Sequence, residues 1–240
     1  MSPDNTELNF NGYDFIDFGC SKGGSLEFGA TAFGGRGVGL DIDADKVDLA
    51  RKLGFEAYQA DVSKIDPDLH GKVRFAIMSH FLEHLPGVRE ANACINSAAR
   101  MTNEFFLIQQ PYFDADGYLF ENGLKLYWSD WHGHTYHMSI LQLWRILQNL
   151  LSKGKISRFI IGRRHPIANS HSKEVHSLSS AVDQIDWDPS LHEERPLIEF
   201  SVPVYRELCA IGLHNHTVLD PKLQRYLRRS NIVFDSGHYL

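Results

Sequence analysis

The stretch Trp128-Ser129-Asp130-Trp131-His132-Gly133-His134-Thr135-Tyr136-His137 sets three imidazoles close together beside an acid. Imidazole titrates near neutral pH, so His132, His134 or His137 can take a proton from a hydroxyl, with Asp130 as the orienting group. Two other readings of the same spacing stand beside this one. The three rings can converge on zinc, although irregular backbone gives them no common face and no cysteine accompanies them. They can also be structural loop histidines, with Trp128 and Trp131 as loop anchors. We expect no bound metal. A second constellation is Asp17-Phe18-Gly19-Cys20-Ser21-Lys22-Gly23-Gly24, directly behind the apolar run Tyr13–Ile16. Gly19 and Gly23 let the backbone turn sharply and let a ligand approach, and a helix opening near Ser25 offers free N–H groups. A pyrophosphate on that helix end would meet Asp17 as a like charge, whereas a cationic ligand suits the carboxylate.

These residues need a scaffold that brings strand ends to one edge. Strands and helices alternate along the chain, which argues for a largely parallel sheet with helices on both faces. Leu26, Ala30 and Phe33 share one side of a first helix, and Val47, Ala50 and Leu53 one side of a second, which Gly54 ends. Asp43 reads as the N-cap of that second helix. Pro86 opens a third with Val88, Ala91, Ile95 and Ala98 as its stripe, followed by a strand at Glu104–Gln109. Pro111 to His137 has no clear period and reads as an irregular insertion at the carboxyl end of the fifth strand. Ser139 and Gln142 form a capping box ahead of the stripe Ile140, Leu143, Trp144, Leu147 and Leu150. Ile156–Gly162 reads as a sixth strand, Arg163–Glu194 as a second long loop or lid, and Leu197–Tyr205 as the last strand.

Asp17-x-Gly19-x-Ser21-x-Gly23 resembles the first motif of the class I S-adenosylmethionine-dependent methyltransferases, and three later segments resemble the next motifs in order. The likeness spans roughly Tyr13 to Pro111. It implies that the acid ending Gly37-Val38-Gly39-Leu40-Asp41, followed by Ile42, accepts the ribose hydroxyls. It implies that Asp61 takes a hydrogen bond from the adenine amino group while Val62 donates from its backbone. It further implies that Ser79-His80-Phe81-Leu82-Glu83-His84 ends beside the methionine part of the cofactor, with His80 in contact with it and His84 and His80 the nearest candidate bases. The family most often has glycine where Ser21 stands. The fold so implied is α/β: a Rossmann-like, doubly wound, mostly parallel seven-stranded sheet with helices on both faces, its last strand antiparallel. Residues 1–240 would form one methyltransferase domain, with 13–111 as the cofactor-binding half and insertions 111–138 and 163–195 covering the substrate site at the carboxyl edge.

The implied activity is methyl transfer from S-adenosylmethionine, leaving S-adenosylhomocysteine, to a small polar acceptor. Aromatic and histidine-rich loops suit O-methylation of a sugar or related hydroxyl-bearing metabolite, with surface-polysaccharide synthesis as the setting that analogy offers. A catalytically silent cofactor-binding sensor or assembly partner, and an NAD-dependent oxidoreductase, are the competing classes. A formal charge of −6 and a pI near 6.1 give no electrostatic footprint for nucleic acid. The basic run Lys222–Arg229 reads first as a solvated helix face. Three widely spaced cysteines, Cys20, Cys94 and Cys209, read as free thiols in a reducing cytoplasm. The acidic start, residues 1–7, carries no secretion signal and no later run is long and apolar enough for a bilayer span. A homo-oligomer is compatible with all of this.

Overall fold

Apolar runs rich in phenylalanine and β-branched residues make the inner strands, as expected of a sheet covered on both faces. In the computed structural model, which describes residues 8–214 and 219–238, β1 (Phe15–Phe18) is buried along its whole length and leads through the glycine turn into α1 (Gly24–Phe33). β2 (Gly37–Asp41), α2 (Ala44–Lys52) and β3 (Ala57–Gln59) follow. A short α3 (Pro67–His70) precedes β4 (Val73–Ser79), α4 (Val88–Met101) and β5 (Thr102–Pro111). The 1–7 reading lies outside the described residues.

Beyond β5 the chain forms α5 (Asp116–Glu121), β6 (Leu124–Leu126), α6 (Ile140–Ser152) and β7 (Arg158–Asn169). β8 (Val175–Ser177), β9 (Glu199–Leu213), α7 (Pro221–Leu227) and β10 (Asn231–Asp235) complete it. Among the described residues the main sheet has eight strands, in the order β10-β7-β9-β5-β4-β1-β2-β3. β3, β2, β1, β4 and β5 are mutually parallel, and β9 lies antiparallel between β5 and β7. β10 adds an antiparallel edge to β7, one strand more than the seven expected.

Both insertions are more ordered than the sequence suggests. The first carries α5 and β6, and the second opens with residues 163–169 still in β7, so Arg163–Glu194 is not loop from its first residue. The physical reason is pairing: polar residues of β7 such as Arg163 and Arg164 find ladder partners in Leu208 and Glu207 of β9, which local hydropathy does not reveal. β8 pairs antiparallel with β6, tying the two insertions together in a separate two-stranded sheet.

Helix stripes follow the sequence with small shifts. Gly29 rather than Ala30 faces the sheet in α1, and Leu53 lies 58% exposed just past α2. Asp43 caps α2 by accepting from the backbone N–H of Asp45 and Lys46, and the Ser139–Gln142 capping box opens α6 with both reciprocal bonds. Leu223 and Tyr226 bury one side of α7, and the three cysteines are buried free thiols. Among the described residues no helix is long and apolar enough to cross a membrane.

Candidate functional site

Because β1, β2, β3 and β4 are parallel, their carboxyl ends share one edge, and the chain reverses its direction of strand addition between β1 and β4. In open α/β sheets the crevice at such a reversal is where ligands bind. A cavity of about 1140 Å³ opens there, lined by Gly19, Ser21, Asp41, Asp61, His80 and His84 among others. That volume has room for a nucleotide-sized ligand together with a second molecule.

The turn after β1 is built around left-handed backbone. Gly19 has φ +75°, and a Cβ there would come within 2.2 Å of the Phe81 ring, so both backbone and neighbour demand glycine. Gly23, at φ +98°, is crowded in the same way by Phe55. Ser21 also sits in the left-handed region, at φ 47°. This accounts for the family's preference for glycine at that place, and holding serine there costs about 1 kcal/mol. Asp41 offsets the strain: its Oδ2 accepts from the Ser21 backbone N–H at 2.9 Å, and its Oδ1 from the Asp43 N–H at 3.0 Å.

Asp17 lies behind this turn with no exposed surface, accepting from the Ser25 hydroxyl through Oδ2. Its Oδ1 has no hydrogen-bond partner among the described residues. Burial pushes its carboxyl up to about 7, the Ser25 bond working against this and the charge of Asp41 adding to it. Asp61 shows the opposite balance. Burial alone would raise it, but Lys64 at 2.7 Å and Ser63, through its hydroxyl and N–H, hold it below the usual carboxylate range. Ile42 presents a 62% exposed side chain to the cavity, and the buried Val62 lines it beside Asp61.

His80 follows β4 in left-handed backbone, φ 50°. Its ring lies 3.4 Å from Glu83 and 3.8 Å from Glu207. Burial works against its charge, but the two carboxylates outweigh it and push His80 up to about 9. The two acids thus favour the protonated form of the ring, which counts against His80 as a base.

The histidine-rich segment docks on the loop after β4. Tyr136 N–H donates to Glu83 O at 3.1 Å, the Thr135 hydroxyl to Leu85 O at 2.8 Å, and His84 Nδ1 to Gly133 O at 2.7 Å. His134 Nδ1 faces Trp128 O at 2.9 Å, and its ring meets His84 edge-on with centroids 5.0 Å apart. Burial keeps His134 below the ordinary imidazole range. His132 is not brought to this group; it is 77% exposed and pairs with Asp183 of the second insertion. His137 stacks on Phe113, ring centroids 4.1 Å apart, near Asp116. The His132/His134/His137 triad considered as a zinc set is thus dispersed. Asp130 does not orient a histidine: it pairs at 2.5 Å with the buried Lys125. The sequence reading passed over Glu83 as a functional residue, although its apolar neighbours Leu82 and Leu85 were a signal that it could be buried.

No family model matches the chain, and no curated protein matches it in sequence. Solved structures do. The YcgJ protein from Bacillus subtilis aligns over 88% of this chain and 95% of its own, with a TM-score of 0.54 and 14% identity. A SAM-dependent methyltransferase from Archaeoglobus fulgidus aligns over 87% of both chains, with a TM-score of 0.53 and 18% identity. Magnesium protoporphyrin IX methyltransferase from Synechocystis, solved with bound SAH, covers 86% of this chain and 76% of its own at a TM-score of 0.51 and 16% identity. With its strand order and the glycine turn at the crevice, the chain has the fold of the class I S-adenosylmethionine-dependent methyltransferases.

Proposed function

We propose that this chain is an enzyme that methylates a small polar acceptor using S-adenosylmethionine, with a hydroxyl of a sugar or related metabolite as the methylated group. The observation that carries the reading is the convergence of Gly19, Asp41, Asp61 and His80, from four different strand ends, on one cavity. The residues fit such a cofactor. A carboxylate has about four lone-pair sites, so Asp41 can keep its two backbone bonds and still accept from ribose hydroxyls, and Asp61 likewise from an adenine amino group. Behind the turn the buried Asp17 keeps one oxygen without a partner, and a cation bound nearby would favour its ionised form. Ile42 and Val62 offer apolar surface for the base.

When bound, the cofactor supplies a sulfonium methyl whose bond to sulfur breaks with its electron pair left on sulfur. The chain's own part is to align the acceptor oxygen with that methyl and to let the hydroxyl lose its proton. His84 lines the cavity and His134 packs against it, so these two rings are the groups placed to act on that proton. In this reading residues 1–240 work as one methyltransferase domain, and the insertions at 111–138 and 163–195 shape the acceptor side.

Calorimetric titration with S-adenosylmethionine and S-adenosylhomocysteine, with NAD as the control, tests it. Micromolar binding of the first two that Asp41→Asn weakens is the expected result. NAD binding instead, or no binding by folded protein, removes the reading. Cofactor binding without methylation of any offered sugar, alcohol or phenol would favour a silent sensor.

A further inference from the structure

Three side chains from two loops converge where the sequence pattern alone does not point. One carboxylate oxygen of Glu83 and one ring nitrogen each of His84 and His134 lie within 4.8 Å of one another. We propose that Glu83, His84 and His134 bind a divalent transition-metal ion, with zinc as the ion this donor set suits best.

The carboxylate supplies the first argument. Glu83 is 1% exposed, and neither of its oxygens has a hydrogen-bond partner among the described residues. A buried carboxylate is costly unless something compensates it. The nearest side chain to it is the His80 ring, whose Nδ1 stands 3.4 Å from one of its oxygens while Nε2 of the same ring faces Glu207 at 3.8 Å. The other oxygen, Oε2, therefore has coordination capacity that the described residues leave unused.

The rings supply the second. A backbone carbonyl only accepts, so the contacts of His84 Nδ1 with Gly133 O and of His134 Nδ1 with Trp128 O fix the hydrogen on Nδ1 in both. Nε2 of each then carries the lone pair. Orientation of one ring nitrogen by a carbonyl while the other faces a cation is the usual arrangement of a metal-binding histidine. Zinc bonds of about 2.0–2.2 Å place neighbouring donors roughly 3.3 Å apart, within reach of side-chain rotation from the observed spread. Two imidazoles disfavour magnesium and calcium, which prefer oxygen donors.

Three protein ligands leave at least one position open, as in zinc sites that do chemistry. His84 lines the cavity, so the ion would stand at its wall. An acceptor hydroxyl taken up at the open position would lose its proton to bulk water more readily and keep the electron pair that attacks the methyl carbon. That role rests on the methyl-transfer reading and has His84 and His134 act on the proton through the ion rather than as bases themselves; the binding itself does not rest on that reading.

The test is titration of chelator-treated full-length protein with cobalt(II) and zinc, followed by cobalt absorption and calorimetry, with circular dichroism to verify folding. One equivalent per chain with visible cobalt bands is expected, weakened about 10- to 100-fold or more in Glu83→Gln and in His134→Ala and unchanged in His171→Ala. Absence of stoichiometric binding by the wild type overturns the site, as does Glu83→Gln binding cobalt as tightly as the wild type. Titration with S-adenosylmethionine on the same chelated sample separates the two ideas, because loss of the metal site leaves cofactor binding intact.

Discussion

At the scale of single residues, Asp17 sets a measurable pH dependence. Its folded value of about 7 lies above the ordinary 3.8, so between these values the folded chain holds a proton that the unfolded chain has lost. Stability from this group is present below about pH 4 and is lost as pH rises to 7, on the order of 4 kcal/mol in all. His176, held down to about 4, chiefly by burial and then by the charges of His192 and Arg195, acts in the opposite sense over the same range. The difference between wild type and Asp17→Asn in a series of thermal melts isolates the carboxyl: the gap should widen in favour of the variant from pH 4 to 7. The backbone bonds of Asp41 and its proposed contact with the cofactor separate by substitution. Asp41→Asn should weaken cofactor binding by about 1–3 kcal/mol through lost charge-assisted bonds. Asp41→Ala should in addition lower the melting temperature, because the Ser21 and Asp43 N–H groups lose their acceptor.

At the scale of elements, the glycine turn, the acid ending β2 and the capped helices α2 and α6 were legible because each rests on local chemistry: left-handed backbone, a side chain on its own following N–H groups, a periodic stripe. The far half of β7 was not, since Arg163 to Asn169 become a strand only by pairing with β9. The candidate site divides in the same way. Asp41 and Asp61 stand at strand ends that hydropathy marks, whereas the meeting of Glu83 with His134 depends on a loop returning from more than fifty residues away. Asp130 shows how neighbours in sequence mislead, for its partner is the buried Lys125 of β6, whose ammonium also donates to Ser180 O. Asp130→Ala should cost about 2–3 kcal/mol in chemical denaturation by leaving that ammonium underpaired, while Lys125→Met should cost much less. If the two cost the same, the pair is not what holds β6 in place.

At the scale of the whole molecule, the parallel half of the sheet carries the strand ends that line the cavity, and the two insertions pair with each other beyond it. The insertions are joined by the β6–β8 ladder and, at the surface, by His132 with Asp183. The ladder does the joining: His132→Ala should leave the melting temperature unchanged, because an exposed pair contributes little. The loop after β4 and the histidine-rich segment are held to each other by backbone and side-chain bonds at Glu83, His84 and Leu85. Neither stretch has regular structure deep enough to protect its amides alone, so the two form one small cooperative unit that opens and closes together. Deuterium uptake at Tyr136 should then report on the opposite strand-end loop, and an ion or acceptor that closes the clasp should slow exchange on both sides at once.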